Sequence, residues 1–251
     1  MAKVRERADA LLFKQGLTQS KEQAKRSIMA GEVFLEGEEF HGRPVDKPGH
    51  LYPVGTRFYL RSPERFVSRG AYKLLTLLET TGLDVTGFVC LDAGASTGGF
   101  TDCLLQAGAA RVYAFDVGHN QLHEKLRADP RVISREGINL RHPPPELIQE
   151  ALDFICCDVS FISVTRILPA CLPWLAPSGK VAVLIKPQFE LGPGETVRGV
   201  VKDPAAQKRA CESIVQFCAQ ELALHCSALM PSMIKGAKGN QEFIALFTRE
   251  L

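Results

Sequence analysis

The sequence predicts an α/β fold in which a mostly parallel seven-stranded sheet, with helices on both faces, follows a small α+β module. The larger domain is predicted because short apolar runs alternate with helical segments from residue 72 onward, and a glycine-rich turn follows the first run. The module is predicted because the first 60 residues combine two short amphipathic segments with β-like pieces punctuated by glycine and proline. The 251 residues accommodate both, since domains average about 100 to 200 residues.

The N-terminal module begins with a predicted helix over residues 7–13, and Gly16 stands where a C-terminal cap is expected. Ser20 is placed to cap a second helix, which ends at Gly31. The apolar face of this second helix is Ala24, Ile28 and Met29. β-like pieces follow at 33–35 and 57–60. Residues 1–60 are therefore expected to form two helices followed by a small curled sheet.

A domain boundary is expected at residues 61–66, a linker without a periodic apolar pattern. The larger domain then covers 67–251 and opens with a helix at 72–78. Its predicted strands are 88–92, 111–116, 131–134, 153–157, 180–185, 223–230 and 242–247. Its other predicted helices are 100–107, 164–175 and 204–222. The segment 187–203 is too irregular for an element, so we expect a mobile lid there.

Composition argues against several classes of protein. The formal charge of +2 is small, so any affinity for nucleic acid must come from local clusters of lysine and arginine. The eight cysteines lack C-x-x-C spacing and lie mostly in apolar stretches, which predicts reduced core residues. His119 and His123, expected on one helix, lack a third ligand, so no metal is expected. Without a targeting segment or about 18 consecutive apolar residues, we expect a cytoplasmic protein and no membrane partner.

The first predicted strand of the larger domain runs directly into a glycine-rich turn. The turn comprises Asp92, Gly94, Ala95, Ser96, Thr97, Gly98, Gly99 and Phe100. Glycine lets a backbone approach a ligand closely, but this spacing is neither the G-x-G-x-x-G of dinucleotide binders nor a P-loop. Asp116 ends the next strand, where a carboxylate can accept hydrogen bonds from both hydroxyls of a ribose. A nucleoside-containing ligand is the hypothesis that these positions favour.

This turn, together with Asp116 and Asn139, resembles the S-adenosylmethionine site of class I methyltransferases. The resemblance implies that the turn wraps the methionine part of the cofactor, that Asp116 holds the ribose and that Asn139 lies near the adenine. Val117 and Asp158 belong to the same expected site. The implied product is S-adenosylhomocysteine.

Four charged residues stand at the ends of predicted elements in apolar surroundings, namely Lys73, Asp158, Lys186 and Glu242. Because the carboxyl ends of parallel strands meet at one edge of a sheet, we expect these side chains in one cleft. The set resembles the Lys-Asp-Lys-Glu tetrad of RrmJ/FtsJ-like ribose methyltransferases. The segments 68–70, 158–163, 186–190 and 235–240 resemble the TlyA, or hemolysin A, family, and the likeness covers nearly the whole chain.

The resemblance implies methyl transfer from S-adenosylmethionine to a ribose 2′-hydroxyl of structured RNA, a cytidine of rRNA. The chemistry fits independently, because a ribose hydroxyl is a very weak acid and needs a base or strong electrostatic help. Lys186 is the expected base, since desolvation and neighbouring cations favour a neutral amine. Lys73 is then the neighbouring cation, while Asp158 and Glu242 orient the two amines.

The N-terminal module resembles the S-four-like RNA-binding domain, which implies rRNA or ribosomal subunits as partners. Clustered cations bind phosphates by releasing counterions. The expected RNA contacts are Arg5, Arg7, Lys21, Lys25, Arg26, Arg69, Arg198, Lys235 and Lys238. The oligomeric state stays open between a monomer and a weak dimer.

Three rival functions remain open. A methyltransferase acting on a base would need an aromatic pocket or a nucleophilic thiol, for which Cys156 or Cys157 is placed near a strand end. An RNA-binding assembly factor would lack catalysis, and a calorimetric titration with S-adenosylmethionine separates it from an enzyme. A cytolysin is suggested by the historical family name, although the sequence lacks a strongly amphipathic cationic segment.

Overall fold

The computed structural model describes residues 4–36, 42–60, 65–192 and 194–249. The chain divides into two compact units, Met1–Arg65 and Phe66–Leu251. Four residues of the expected linker, 61–64, lie outside the described residues, and its last two fall on either side of this division.

The described residues of the first unit form two helices and two separate pairs of strands. Its elements are β1 (Arg5–Arg7), α1 (Ala8–Lys14), α2 (Lys21–Met29), β2 (Val33–Glu36), β3 (Leu51–Pro53) and β4 (Arg57–Leu60). Strand β1 pairs antiparallel with β3, and β2 pairs antiparallel with β4. The expectation of one sheet after the helices is therefore wrong, because a strand precedes α1 and two ladders form.

Helix α2 shows how local sequence positions this unit. The Ser20 hydroxyl oxygen accepts a hydrogen bond from the Gln23 amide at 3.1 Å, which confirms the predicted cap. Ala24 and Ile28, four residues apart, are buried together against Leu12 and Val33. Met29 is 78% exposed, so its predicted place on the apolar face is wrong. One residue of helix is a rotation of about 100°, which carries its side chain off that face.

The second unit contains the larger sheet. Its helices are α3 (Ala71–Thr81), α4 (Gly99–Gln106), α5 (Glu124–Arg127), α6 (Leu168–Cys171), α7 (Pro187–Glu190) and α8 (Pro204–Leu222). Its strands are β5 (Val89–Ala93), β6 (Arg111–Phe115), β7 (Val132–Arg135), β8 (Leu152–Cys157), β9 (Leu175–Ile185), β10 (Leu224–Pro231) and β11 (Phe243–Arg249). Their order across the sheet is β10-β11-β9-β8-β5-β6-β7. Among the described strands of this sheet, β11 alone runs opposite to the others, antiparallel to both β9 and β10, which confirms the predicted mostly parallel seven-stranded sheet.

Apolar layers cover both faces of this sheet. Within β5, Leu91 and Ala93 pack into one buried cluster, whereas Cys90 packs into the other. The strand is buried on both sides, as expected for a parallel sheet between helices. All eight cysteines are free, and all but Cys226 are buried, as expected for core residues.

The predicted helix 164–175 is wrong because two prolines interrupt it. The chain instead forms a 3₁₀ turn at Val164–Arg166, helix α6 and a second 3₁₀ turn at Leu172–Trp174. Pro169 and Pro173 lack the N–H that a continuous helix requires, and the proline ring clashes with the preceding turn. Strand β9 therefore starts at Leu175, five residues before its predicted beginning at 180.

Two other expectations need correction. His119 and His123 do not share a helix, because α5 begins only after His123, whose Nδ1 accepts a hydrogen bond from the Lys125 amide at 3.1 Å. The expected lid 187–203 contains helix α7 and a turn in which Val197 and Val200 exchange two backbone hydrogen bonds of 2.9 and 3.0 Å. Pro193 lies outside the described residues.

No helix within the described ranges has the length and apolar character needed to cross a bilayer.

Phe154, in the central strand β8, provides a test of the core. Its ring is fully buried, so we expect Phe154→Ala to lower the free energy of unfolding by about 3 to 5 kcal/mol. Urea unfolding followed by Trp174 fluorescence measures this, because the one tryptophan of the chain lies in the same unit. Leu229→Ala, at a position 43% exposed, is the control and should cost about 0.5 kcal/mol or less. Equal losses in the two variants would contradict the prediction.

Candidate active site

The topology brings four charged residues to one edge of the larger sheet. Asp158 follows β8 and Lys186 follows β9, so both stand at carboxyl ends of parallel strands. Glu242 precedes β11, which runs antiparallel to β9 with Phe243 opposite Ile185, and so it lies at the same edge. Lys73 comes from the first turn of α3. The cleft expected from the sequence is therefore formed by strand ends and one helix.

The four side chains form two ion pairs. Lys73 Nζ lies 2.6 Å from Glu242 Oε2, and these side chains are 10% and 3% exposed. Lys186 Nζ lies 2.5 Å from Asp158 Oδ1, and these are 8% and 22% exposed. An ammonium so deeply buried requires a partner, since an unpaired charge in the protein interior is strongly unfavourable. The pairing therefore fixes both amines in place, and Asp158 remains the member most open to a ligand.

A cavity of about 520 Å³ opens in front of this set. Its walls include Lys73, Asp158 and Lys186, while Glu242 reaches the cavity through its contact with Lys73. The glycine-rich turn contributes Asp92, Gly94, Ala95, Ser96, Thr97, Gly99 and Phe100. The remaining lining residues are Ser68, Arg69, Gly70, Ser160, Ile234, Lys235, Gly236 and Lys238. We call this space the first cavity.

Three glycines of the turn lie so close to neighbouring atoms that a side chain would collide with them. Gly94 has φ 89°, and a Cβ there would lie 2.5 Å from the Asp158 carbonyl oxygen. A Cβ at Gly99 would lie 3.0 Å from the Ala71 amide nitrogen. Gly98 has φ 95° and lines neither of the two cavities described here, and a Cβ there would collide with Leu126. At Gly98 the structure therefore shows a packing requirement, and the ligand contact there stays a prediction.

A second cavity of about 540 Å³ adjoins the first and shares Gly94, Ser96, Asp158 and Ser160 with it. Asp116, Val117 and Asn139 line it, as expected. Apolar walls come from Ile138, Leu140, Val159, Ile162 and Ile167. This combination of an apolar slot and a few polar groups suits a flat heterocycle attached to a polar group.

Polar contacts fix the lining of the second cavity. The Asp116 carboxylate accepts hydrogen bonds from the Ser96 amide at 2.8 Å and the Gly118 amide at 2.7 Å. Asn139 Oδ1 accepts one from the Arg141 amide at 3.1 Å. Asp116 therefore connects the glycine-rich turn to the end of β6, and this structural role is separate from any contact with a ligand.

Asp92 is a buried acid with one unused oxygen. Oδ2 accepts hydrogen bonds from the Thr101 amide and hydroxyl at 2.8 and 2.7 Å, whereas Oδ1 has no partner among the described residues. Burial raises the pKa of this carboxyl to about 7. Because Asp92 lines the first cavity, its free oxygen is suited to a cationic or hydrogen-bond-donating ligand group.

The expected RNA contacts fall in separate places. In the first unit Arg5, Lys21 and Arg26 are exposed, whereas Arg7 pairs at 2.6 Å with buried Asp9 and Lys25 pairs at 3.3 Å with Glu22. In the second unit Arg69, Lys235 and Lys238 line the first cavity. Arg198 stands in the turn between Val197 and Val200 with φ 53°. The charge of Arg7 is therefore partly committed to holding Asp9.

Sequence reasoning missed several lining residues. Ser160, Phe161 and Ile162 line the second cavity and belong to a segment that resembles the TlyA family, in which the sequence alone indicates a role only for Asp158. Their position directly after β8 was the available signal, since ligand contacts concentrate at the carboxyl ends of strands. Gly236 was also missed, and a Cβ there would collide with the Glu242 carboxylate.

The thiols are unsuited to nucleophilic catalysis. Burial raises the pKa of Cys156 and of Cys157 well above the ordinary value, which disfavours the thiolate. Both side chains pack in the apolar clusters. The rival chemistry that used a cysteine nucleophile therefore loses its support.

Comparison with known proteins gives a consistent picture. Residues 66–249 match the family model described as FtsJ-like methyltransferase. The chain is 41% identical over 242 residues to the 16S/23S rRNA (cytidine-2′-O)-methyltransferase TlyA of Mycobacterium tuberculosis, covering 95% of this chain and 88% of the relative. It is 38% identical to Hemolysin A of Brachyspira hyodysenteriae, covering 96% and 99%. A solved Streptococcus thermophilus protein that carries the hemolysin name is 42% identical with a TM-score of 0.73, covering 99% and 90%.

Gly236 generates a prediction about the geometry of the tetrad. Because a Cβ would occupy the place of the Glu242 carboxylate, Gly236→Ala should lower the free energy of unfolding by about 1 to 3 kcal/mol. Gly192→Ala is the control, since a Cβ there meets nothing within 4 Å, and it should change stability by about 0.5 kcal/mol or less. Urea titrations of both variants measure the difference, and a Gly236→Ala protein as stable as the control would contradict the steric argument.

Asp92 generates a prediction about pH. Its pKa is about 7 in the folded protein and 3.8 ordinarily, so between these values the folded state holds a proton that the unfolded chain releases. The associated stability is complete below the lower value and is lost as the pH rises through about 7. From about pH 5 to about pH 8, the wild type should therefore lose stability relative to Asp92→Asn. Urea unfolding across this range tests the sign, and parallel profiles for the two proteins would refute it.

Proposed function

Because the chain belongs to the FtsJ-like methyltransferase family, we propose that it transfers a methyl group from S-adenosylmethionine to the ribose 2′-hydroxyl of a cytidine in ribosomal RNA. The observation that carries this proposal is the pair of buried ion pairs, Lys186 with Asp158 and Lys73 with Glu242, beside a cavity that begins at the glycine-rich turn. Two positioned amines next to a ligand turn are suited to deprotonating a hydroxyl that is already aligned with a methyl donor.

The residues present fit S-adenosylmethionine. The unpartnered Oδ1 of Asp92 is an acceptor for the cationic amino group, and the close backbone approach at Gly94 and Gly99 leaves space for the methionine chain. Asp116, Val117 and Asn139 would hold the adenosine in the second cavity, against its apolar walls. When bound, this cofactor supplies an electrophilic methyl group on a sulfonium.

The four charged residues then have distinct roles. Lys186 Nζ would accept the proton of a ribose 2′-hydroxyl held in the first cavity, which keeps a full negative charge from building up on the oxygen. Asp158 aims this amine by their 2.5 Å contact. Lys73, held by Glu242, provides a fixed positive charge that stabilises the developing oxyanion. Low exposure strengthens each of these interactions, because water screens them less.

RNA recognition is assigned to both units. The first unit would act as an S-four-like RNA-binding domain through exposed Arg5, Lys21 and Arg26, with Arg7 and Lys25 sharing their charge with carboxylates. At the first cavity, Arg69, Lys235 and Lys238 supply cations for the phosphates that flank the target, and Arg198 adds to them from its turn. The M. tuberculosis relative is named as a methyltransferase of 16S and 23S rRNA, which supports ribosomal RNA as the substrate. The reaction would then take place in the cytoplasm.

Mapping of ribose methylation tests the whole proposal. Ribosomal RNA from cells that lack the protein should be missing 2′-O-methylation at a cytidine, and the purified enzyme with S-adenosylmethionine should restore it. Absence of both calorimetric binding of S-adenosylmethionine and any methylated nucleotide would favour an RNA-binding assembly factor, and methylation on a base would overturn the ribose assignment.

Lys186 carries the sharpest prediction for catalysis. Lys186→Ala should lower kcat by about 10² to 10⁴-fold while the affinities for cofactor and RNA stay within about twofold. Lys186→Arg should not rescue it, because a guanidinium remains protonated and cannot accept the hydroxyl proton. Single-turnover methylation assays measure these rates, with Lys208→Ala, an exposed lysine of α8, as the control. More than about a tenth of wild-type activity in Lys186→Arg would make Lys186 a fixed cation and exclude it as the base.

A further inference from the structure

The Lys186 amine has a second partner besides Asp158. Its Nζ donates a hydrogen bond to the Ser160 hydroxyl oxygen at 2.8 Å. Ser160 lines both cavities, and so it stands where the cofactor and the acceptor of the methyl group would meet. This hydroxyl is not part of the tetrad, yet it contacts the proposed base directly.

The contacts of the Lys186 amine restrict its orientation. A lysine ammonium has three N–H groups, of which one donates to Ser160, while the Asp158 carboxylate lies 2.5 Å away as the ion-pair partner. In the neutral amine, a position not taken by these contacts can hold the lone pair that accepts a proton. Because Lys186, Asp158 and Ser160 all line the first cavity, that position is available to a group bound there. A single carboxylate contact would leave the amine free to rotate about it.

Contacts of the neighbouring residues restrict the position of Ser160. The next residue, Phe161, is 91% exposed and has φ 66°, a left-handed conformation that is uncommon for a residue other than glycine. Its ring lies 5.2 Å from that of Phe189, between ring centres. The Glu190 carboxylate accepts hydrogen bonds from the Ser163 hydroxyl at 2.5 Å and the Val164 amide at 3.0 Å. The segments 158–164 and 186–190 are thus joined at three successive points.

We propose that Ser160 is a positioning residue for methyl transfer, whose hydroxyl, together with the Asp158 carboxylate, aims the Lys186 amine into the first cavity. The proposal rests on Lys186 being the base of the proposed function. It predicts that loss of the hydroxyl affects the chemical step and not the binding of either substrate, because the cavity walls otherwise remain.

Kinetics of Ser160→Ala and Ser160→Thr test this role. We expect Ser160→Ala to lower kcat by about tenfold or more, with KM for S-adenosylmethionine and for RNA changed by less than about twofold. Ser160→Thr keeps an oxygen at the same position and should retain several times more activity than the alanine variant. Ser227→Ala is the control, because it removes the hydroxyl of an exposed serine on edge strand β10, which donates a hydrogen bond to the Leu246 carbonyl oxygen of β11. A kcat within about threefold of wild type in Ser160→Ala, or equal losses in the alanine and threonine variants, would overturn the proposal.

A second measurement is independent of catalysis. Acetic anhydride should acetylate Lys186 at least about threefold faster in Ser160→Ala than in wild type, because the amine loses one of two partners. Peptide mass spectrometry quantifies this against the exposed Lys208 of the same molecule. An unchanged rate at Lys186 would overturn the proposal. If the wild type formed no 2′-O-methylated product, the proposed function would fail, and the acetylation comparison would still decide whether Ser160 holds the amine.

Discussion

Two lysine ammonium groups lie almost entirely out of water at one edge of the sheet, and each requires a carboxylate at close range. The contacts Lys73–Glu242 and Lys186–Asp158 meet this requirement with partners from four different elements. Breaking such a pair strands a buried charge, so the elements that carry the four residues must keep their relative positions. The ends of β8, β9 and β11 and the start of α3 are thereby fixed around one cavity.

The ion pairs also restrict which residues can stand in the backbone around them. Gly236 has no side chain where the Glu242 carboxylate lies, and Gly94 allows the glycine-rich turn to approach the Asp158 carbonyl oxygen. Asp116 in turn anchors the Ser96 amide, which lies in the wall shared by both cavities. The glycine-rich turn and the four charged residues are therefore held in fixed positions relative to one another.

The two cavities differ in the charge of their walls. Within the larger unit the cationic side chains Arg69, Lys235 and Lys238 face the first cavity, whereas the walls of the second cavity are mainly apolar. A phosphate backbone and a flat heterocycle are thereby offered different environments. The overall charge of +2 does not reveal this separation, because acidic residues elsewhere balance it. The proposed recognition of RNA depends on local charge, and the small first unit has exposed cations of its own.

The sequence by itself determined the alternation of strands and helices, the cap at Ser20, the turn after β5 and the identity of the four charged residues. These features are local, since each depends on periodicity, capping chemistry or a strand end within a few residues. The tertiary structure decided which lysine meets which carboxylate, because Lys73 and Glu242 are 169 residues apart in the chain. It also decided that Gly98 packs against Leu126 and that Ser160 contacts Lys186. Such contacts depend on strand order and on the closeness of separate loops, which no local pattern encodes.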